Sequence, residues 1–297
     1  MTGADGGFRC GHVAIVGRPS VGKSTLMNAL VGEKISITSK KAQTTRHRVT
    51  GILTTAGAQF VFVDTPGFQT RYRSGLNVRM NRAVTRSLAE VDAVVLVVEA
   101  GRTTDADRAV VALLPEGARV VVALNKIDGL ANKDLLLPQI AGLAALYPFA
   151  ALVPVSAEKA RGLDQLIGAV LPLLPPGPAI YGEDELTDRD ERFLAAEFVR
   201  EKIFRLLGDE VPYATTVAIE KFEHEGTRRR IFAVVYVERD SQKGILLGEA
   251  GSRMKEIGTK ARLDMERLFG GPVYLDIHVR VREGWADDER ALNRFGY

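Results

Sequence analysis

The feature that most constrains the fold is the segment GRPSVGKST at 17–25, which directly follows the apolar run HVAIV. It satisfies the pattern G-x-x-x-x-G-K-[ST], with a predicted strand before it and a predicted helix after it, as this pattern requires. Glycines let backbone N–H groups close around phosphate oxygens, and the positive end of the helix dipole points at the same anion. The sequence therefore predicts a phosphate-binding loop between a buried strand and a helix.

Every residue of this loop is a candidate nucleotide contact. Lys23 supplies a cation for the β- and γ-phosphates, and the Ser24 hydroxyl is suited to Mg²⁺. The candidate contacts are Gly17, Arg18, Pro19, Ser20, Val21, Gly22, Lys23, Ser24 and Thr25. The loop alone does not distinguish one nucleotide from another.

Short apolar runs alternate with helical stretches from residue 12 to about residue 174. Runs such as AVVLVV are apolar throughout, which is typical of parallel strands covered on both faces. The more polar run at 49–57 is joined by a short turn to AQFVFVD at 58–64, so these two are expected to pair antiparallel at one edge. The pattern predicts a doubly wound α/β domain with a mostly parallel sheet.

A proline-rich and then acidic segment marks the predicted domain boundary. Four of the 12 prolines lie at 172–178, and the stretch YGEDELTD follows. Prolines stop a helix, and such a segment is difficult to bury. We therefore expect a tail at 1–11, an α/β domain at 12–174, a linker at 175–188 and a second domain at 189–297.

The second half of the chain has a different order of elements. The predicted elements are a helix at 189–207, alternating strands at 215–222 and 229–238, a helical stretch interrupted by glycines at 243–269, and a strand at 272–282. This α-β-β-α-α-β order is typical of a smaller α+β domain.

The motif DTPG begins with Asp64, at the end of the strand AQFVFV. The carboxylate can hold Mg²⁺ through water, and the Gly67 N–H can meet the γ-phosphate. The preceding polar segment SITSKKAQTTRHR offers Thr45, or alternatively Thr44, as a second Mg²⁺ ligand. The candidate metal ligands are Ser24, Thr45 and Asp64, and the candidate catalytic residues are Lys23, Thr45 and Gly67. We expect the Mg²⁺-bound nucleoside triphosphate to order residues 35–48 and 67–78, and hydrolysis to release them.

Two further motifs indicate that the base is guanine. In NKID, Asp128 offers two acceptors to the paired N–H donors of guanine, and adenine has no such pair. Asn125 is expected to tie the loops together, and the stem of Lys126 to lie along the base. In SAE, which begins with Ser156, the Ala157 N–H can donate to guanine O6. Each motif is weak alone, but each follows a predicted strand in the order that a GTP site requires.

The segment ILLGEAGSRMKEIG contains a G-x-x-G motif at 248–251 between two helical stretches. Such a loop lets a nucleic-acid backbone approach closely and exposes N–H groups at a helix start. Six basic residues against three acidic ones lie between 239 and 262. The candidate RNA contacts are Lys243, Gly248, Glu249, Ala250, Gly251, Arg253 and Lys255.

Taken together, these motifs resemble the Era family of bacterial GTPases. The resemblance covers residues 10–297 and is most specific in QTTRHR and GWADDERAL, with LTDRDERF at the junction. It implies a Ras-like P-loop GTPase domain followed by a type II KH domain, with GTP or GDP and Mg²⁺ as cofactors. It also implies binding to the 3′ end of small-subunit (16S) rRNA during maturation of the 30S ribosomal subunit.

The chain departs from common GTPase patterns at three positions. Phe68 stands where signalling GTPases place a water-orienting Gln, so we expect slow intrinsic hydrolysis. Ser20 stands where many relatives carry an Asn that is thought to help hold K⁺, which weakens the expectation of K⁺ stimulation. Glu249 and Ala250 stand where nucleic-acid loops often carry a cation, so electrostatic help from that loop is reduced.

The composition favours an intracellular protein. The single cysteine excludes an internal disulfide framework, and one cysteine with four scattered histidines argues against a structural zinc site. The N-terminus lacks a secretion signal, and no apolar run reaches the length of about 18 residues that a membrane helix needs. We expect a cytoplasmic monomer; the family is also reported to associate loosely with the membrane, here at its inner face.

Three other functions remain open at this point. An ATP-dependent small-molecule kinase would explain the phosphate loop but not NKID. An RNA-binding scaffold could keep a nucleotide only for folding. A GTPase switch could have protein or membrane as its main partner, with the KH domain secondary.

Overall fold

The structure is a computed structural model that describes residues 7–68, 75–208 and 210–297, apart from the side chain of Lys133. The chain divides into two compact units. Of the described residues, unit 1 contains 7–36, 45–68 and 80–188, and unit 2 contains 37–44, 75–79, 189–208 and 210–297. The segment 37–44, which lies within the predicted GTPase domain in sequence, therefore packs with the C-terminal half.

Unit 1 is an α/β unit built on one sheet. Its strands are β1 (Arg9–Val16), β2 (Val49–Thr54), β3 (Ala58–Asp64), β4 (Ala93–Glu99), β5 (Val120–Asn125) and β6 (Ala151–Pro154). Its helices are α1 (Lys23–Val31), α2 (Gly75–Ala89), α3 (Asp105–Val111), α4 (Leu136–Ala144) and α5 (Leu163–Val170), and the first residues of α2 are grouped with unit 2.

The strand order of this sheet is β2-β3-β1-β4-β5-β6. All neighbouring pairs are parallel except β2 and β3, which are antiparallel. Every residue of β3 and β5 is buried, as expected for parallel strands covered on both faces. The predicted doubly wound sheet with an antiparallel edge is confirmed. Because the parallel strands end at one edge of the sheet, the loops after β1, β3, β5 and β6 meet there.

The acidic segment at 175–188 packs on unit 1. The Pro175 carbonyl accepts from the Cys10 N–H at 3.2 Å, and the Leu186 carbonyl accepts from the Ile52 N–H at 2.9 Å. The Gln59 side-chain oxygen accepts from the N–H groups of residues 180 and 181. The segment that composition predicts as a linker is therefore hydrogen-bonded to the sheet of unit 1.

Unit 2 is an α+β unit. Its elements are α6 (Glu191–Leu206), α7 (Glu210–Tyr213), β7 (Thr216–Glu225), β8 (Arg228–Val237), α8 (Asp240–Leu247), α9 (Ser252–Phe269), β9 (Val273–Val281) and α10 (Glu289–Arg294). The sheet order is β7-β8-β9, with β7 and β8 antiparallel and β8 and β9 parallel. The predicted α-β-β-α-α-β order is confirmed, and the short helices α7 and α10 are additions to it.

The core of unit 2 lies between its helices and one face of its sheet. Alternate residues of β8, such as Ile231, Ala233 and Val235, join this core together with Phe198 of α6 and Ile257 of α9. Within the described part of the chain, no helix is both long enough and apolar enough to cross a bilayer.

An arginine of α6 is fully buried. Arg200 is only 1% exposed, and its Nε and Nη2 donate to both carboxylate oxygens of Glu197 at 2.7 and 2.6 Å. Burial favours the neutral form, but the Glu197 carboxylate outweighs it and raises the pKa of Arg200. The pair keeps a guanidinium charge inside unit 2 with a matched counter-ion.

We expect Glu197→Gln to lower the free energy of unfolding of unit 2 by about 3 kcal/mol, because the buried guanidinium loses its counter-ion. The single tryptophan, Trp285, is buried in unit 2, so its fluorescence during urea denaturation reports on this unit. Glu256→Gln is the control, because the Lys260–Glu256 pair is half exposed and is worth at most about 1 kcal/mol. Equal losses in the two variants would contradict this account.

Candidate nucleotide site

The loop at 17–22 joins β1 to α1 with a backbone that requires glycine at two positions. Gly17 has φ 155 and Gly22 has φ 100. A Cβ on Gly17 would lie 2.5 Å from the Val97 carbonyl oxygen, and a Cβ on Gly22 would lie 2.4 Å from Asn125 Nδ2. Ser20 also has a positive φ of 64. The curvature that brings N–H groups to one point therefore depends on the absence of side chains here.

The start of α1 is available to an anion. Gly22 is the N-cap residue, and no side chain among the described residues caps this helix end. The first N–H groups of a helix have no intrahelical partner, so they can bind phosphate oxygens. Val21 precedes the N-cap residue Gly22, and Thr25 lies in the first turn of α1.

Lys23 is a buried cation held over the same loop. It is 6% exposed, and its Nζ donates to the carbonyls of Gly17 at 3.1 Å and Arg18 at 3.0 Å. Burial lowers the pKa of Lys23 to about 8, although Asp64 opposes this shift. An anion beside Nζ would favour the charged form, so this lysine is poised for phosphate.

Three hydroxyls converge on one carboxylate oxygen at the end of β3. Asp64 is fully buried, and its Oδ2 accepts from Ser24 Oγ at 2.6 Å, Ser36 Oγ at 2.9 Å and Thr45 Oγ1 at 3.3 Å. Ser24 Oγ and Thr45 Oγ1 are themselves 2.8 Å apart. The three predicted metal ligands, from three separate segments, therefore lie within hydrogen-bond distance of one another.

This cluster fits a hard divalent cation. The other carboxylate oxygen, Asp64 Oδ1, is buried and has no hydrogen-bond partner among the described residues. Burial raises the pKa of Asp64, while the hydroxyl bonds and Lys23 oppose that rise. No group of three or more His, Cys, Asp or Glu residues in the described ranges could hold a metal by itself. A cation here would therefore use hydroxyls, one carboxylate and oxygens from a ligand or water, as Mg²⁺ commonly does.

The structure separates Thr45 from its neighbour Thr44. Thr44 Oγ1 donates to the Lys41 carbonyl at 2.8 Å and belongs with unit 2, whereas Thr45 Oγ1 lies in the Asp64 cluster of unit 1. Of the two alternatives that the sequence leaves open, only Thr45 lies beside the candidate metal ligands.

The DTPG turn lies against the phosphate loop. A Cβ on Gly67 would come within 2.9 Å of Pro19 Cα, so the two backbones are in close contact. The next residue, Phe68, packs on the apolar cluster of unit 1 that includes Leu96 and Val122. Residues 69–74, which belong to the predicted switch segment 67–78, lie outside the described residues.

At the other end of the site, Asn125 ties two loops together. Its Nδ2 donates to the Val21 carbonyl at 2.9 Å, and its Oδ1 accepts from the Ala157 N–H at 2.9 Å. Ser156 Oγ donates to Asp128 Oδ1 at 2.5 Å, and this bond lowers the pKa of Asp128. The carboxylate is thus ionised, exposed and held in one orientation.

Two contributors to the site are absent from the sequence prediction. The Glu99 carboxylate forms ion pairs with Arg18 Nη2 at 2.5 Å and with Lys126 Nζ at 3.3 Å, and it therefore links the phosphate loop to NKID. Ser36 is the second contributor, through its bond to Asp64. Glu99 is the last residue of β4, as Asp64 is the last residue of β3. A carboxylate at the end of a predicted strand is the sequence signal that could have identified Glu99.

The G-x-x-G loop of unit 2 breaks the helical stretch into α8 and α9. Gly248, Ala250 and Gly251 have φ values of 71, 48 and 76, so the chain leaves helical geometry there. Gly251 caps α9 without a side-chain bond from any described residue. Around this loop, Glu249, Ala250, Arg253 and Lys255 are exposed and Lys243 is half-buried. The loop thus presents N–H groups and nearby cations to solvent.

Two family models match the chain. The model for 50S ribosome-binding GTPases matches residues 12–126, and the model for KH domains matches residues 210–286. The first range includes the phosphate loop and DTPG and ends at the lysine of NKID. The second range includes the G-x-x-G loop.

Full-length relatives are similar to the chain throughout. GTPase Era of Bordetella avium is 55% identical over 98% of both chains, and GTPase Era of Nitrosomonas eutropha is 53% identical over the same shares. A crystal structure of Era in complex with MgGDPNP and nucleotides 1506–1542 of 16S ribosomal RNA is 37% identical, with a TM-score of 0.93 and coverage of 98% of this chain and 99% of that one. A crystal structure of a single-substitution variant of Aquifex aeolicus Era bound to GDP and AlF4⁻ gives the same identity and coverage, with a TM-score of 0.92.

We expect Gly22→Ala to weaken GDP binding about 100-fold, because the new Cβ strains the loop and displaces Asn125 from its bond to the Val21 carbonyl. Calorimetric titration with GDP measures this loss. Gly32→Ala is the matched control: Gly32 ends the same helix with φ 89, and no described atom lies within 4 Å of its Cβ position. That variant should lose about 1 kcal/mol of stability and keep its affinity. If the two variants lose GDP affinity equally, backbone strain alone explains the loss and the contact with Asn125 does not contribute.

Proposed function

Since the chain belongs to the Era family of GTPases, we propose that it is a GTP-hydrolysing switch that binds the 3′ end of 16S rRNA and acts in 30S subunit maturation. The observation that carries this proposal is the Asp64 cluster beside the phosphate loop, because it joins the metal ligands of a P-loop GTPase to a buried lysine. The relatives with nucleotide and RNA support the two halves of the proposal.

We propose that the loop at 17–25 holds the phosphates through its backbone N–H groups. Lys23 Nζ would exchange the carbonyls of Gly17 and Arg18 for phosphate oxygens. Ser24, Thr45 and Asp64 would hold Mg²⁺, which supplies positive charge to the phosphoryl group during transfer. Lys23 and the Gly67 N–H would stabilise the negative charge on the γ-phosphate oxygens.

The base would be read by NKID and SAE. The Asp128 carboxylate, oriented by Ser156, would accept the two N–H donors of guanine. The Ala157 N–H, which donates to Asn125 Oδ1 at 2.9 Å, would turn from that oxygen to guanine O6. Lys126 has φ 69, and the ion pair with Glu99 supports its stem beside the base. Adenine offers neither the donor pair nor an oxygen at this position, so GTP is favoured over ATP and the kinase alternative loses support.

Intrinsic hydrolysis would be slow. Phe68 packs on the apolar cluster of unit 1 and has no group that could hydrogen-bond to an attacking water. Water would then be oriented by backbone groups, a bound cation or a partner. K⁺ stimulation is not part of the proposal, because the Ser20 hydroxyl is shorter than the amide that is thought to hold this ion in relatives.

The segment 37–44 would transmit the nucleotide state to the KH domain. Within unit 2, Thr38 N–H donates to Glu201 Oε1 of α6 at 2.9 Å, and Arg205 Nε donates to the Thr38 carbonyl at 2.8 Å. Ile37 is 2% exposed and joins the core of this unit. Thr45 follows this segment directly, so a change in its contact with the γ-phosphate would move the segment and alter its hydrogen bonds to α6.

RNA would bind at the G-x-x-G loop of the KH domain. The positive φ values at Gly248 and Gly251 allow close approach of a backbone, while Arg253 and Lys255 supply charge along α9. We propose domain boundaries of 12–174 for the GTPase domain, 175–188 for the linker and 189–297 for the KH domain. A cytoplasmic monomer that associates loosely with the inner face of the cell membrane completes the proposal.

Replacing Asp128 by Asn should weaken GTP binding about 100-fold, because an amide donor then faces a guanine donor and two charge-assisted bonds are lost. Competition of GTP and ATP for a fluorescent GDP analogue measures the effect, and ATP binding should stay unchanged. Asp164→Asn is the control, because Asp164 is an exposed carboxylate in the first turn of α5. Unchanged GTP affinity in the first variant would remove guanine recognition from Asp128.

Gly251→Asp should weaken binding to an oligonucleotide from the 3′ end of 16S rRNA at least about tenfold, because it places a carboxylate where phosphate is expected. Gly270→Asp is the control at the opposite end of α9: its φ of 68 is similar, and no described atom lies within 4 Å of either Cβ position. GTP hydrolysis without RNA should be the same in both. If the two variants bind RNA equally, the loop is not the binding site.

A further inference from the structure

We propose that Arg48, Arg82 and Arg86 form a second RNA-binding site, on unit 1, that contacts the phosphodiester backbone of ribosomal RNA outside the segment bound by the KH loop. The proposal rests on the proposed function, because it needs a chain that binds rRNA. It adds a contact surface that none of the sequence motifs predicts.

These arginines line one open cavity of about 300 Å³. Arg82 and Arg86 are four residues apart on α2 and therefore lie on one face of that helix. Arg48 immediately precedes β2. Ala83 and Ser87 complete the lining.

A single glutamate serves two of these arginines. Glu90 accepts from Arg48 Nη1 at 2.9 Å and from Arg86 Nε at 2.8 Å, so one carboxylate holds two guanidinium groups. Arg82, Arg86 and Glu90 together carry an excess of one positive charge, and Arg48 adds a third guanidinium at the same carboxylate. Such an excess at one place is an electrostatic reason to expect an anionic ligand, although the whole chain is only slightly basic.

The two arginines on α2 keep donors for that ligand. The Arg86 side chain is 76% exposed and uses Nε for Glu90, so its two terminal nitrogens face solvent. The Arg82 residue is exposed, and across the described ranges its guanidinium has no hydrogen-bond or ion-pair partner. A guanidinium binds phosphate oxygens with two parallel hydrogen bonds, which makes arginine suited to nucleic-acid backbones.

The lining favours RNA over a lipid surface. A protein that lies on a membrane combines basic residues with large apolar side chains that enter the bilayer. The apolar lining residue here is Ala83, whose side chain is one methyl group. Backbone contacts of this kind fix the position of an RNA without reading its sequence, so the site would add affinity and register to the KH loop.

The test compares the double variant Arg82→Gln/Arg86→Gln with Arg102→Gln/Arg108→Gln. The control removes the same charge from exposed arginines of unit 1, of which Arg108 is paired with Asp105 as Arg86 is with Glu90. Binding to two RNAs is measured over a range of salt concentrations. One RNA is a short oligonucleotide of the 3′ end of 16S rRNA, and the other is a protein-free transcript of the 3′ domain of that rRNA.

We expect the first double variant to bind the transcript about tenfold more weakly, and the slope of log affinity against log salt to become less steep by roughly one and a half. The affinity of this variant for the short oligonucleotide should equal that of the wild type. The control double variant should bind both RNAs with wild-type affinity. Unchanged binding of the transcript, or an equal loss on both RNAs, overturns the second site. Binding to vesicles that contain phosphatidylglycerol is measured in parallel. If the double variant loses vesicle binding and keeps RNA binding, the cluster binds lipid and the second RNA site is overturned. Failure of the wild type to bind either RNA removes the proposed function itself.

Discussion

The buried carboxylate of Asp64 is the group on which the nucleotide site depends. Burial of this carboxyl raises its pKa, and hydrogen bonds from three hydroxyls of separate segments oppose that rise. The same bonds fix Ser24 at the start of α1 and bring Thr45 to it. The second oxygen stays without a protein partner among the described residues. The hydrogen bonds that pack these loops together are thus the same ones that place oxygen atoms for a cation, at the end of β3.

The base end of the site follows the same logic with different groups. Asn125 fixes the distance between the phosphate loop and the SAE turn, and Glu99 holds Arg18 and Lys126 at a common point. Asp128 is exposed yet oriented by Ser156. Because hydrogen bonds and ion pairs within the protein hold these side chains, little side-chain conformational entropy remains to be lost on binding.

Local sequence specifies much of this arrangement, since the residues that bind phosphate and base follow strands whose ends share one edge. The phosphate loop, the antiparallel edge pair and the break at Gly248–Gly251 could all be predicted from spacing, polarity and the positions of glycines. Ser36 could not be separated from the other hydroxyls of its polar segment, because its bond to Asp64 depends on how that segment folds. The grouping of 37–44 with unit 2 was also hidden, since Ile37 and Thr38 meet α6 only through packing between distant parts of the chain.

The anchoring of Thr38 to Glu201 has a thermodynamic consequence. Glu201 is also bonded to Lys202 at 2.8 Å, and Lys202 in turn to Asp264 of α9, so one line of charged groups runs from the segment before Thr45 to the helix behind the G-x-x-G loop. Coupling between two binding equilibria is reciprocal, so any factor by which GTP alters RNA affinity along this line must equally alter GTP affinity when RNA is bound. An RNA bound at the G-x-x-G loop would thereby shift the balance between the GTP-bound and the GDP-bound protein, so the RNA would influence the nucleotide state as well as respond to it.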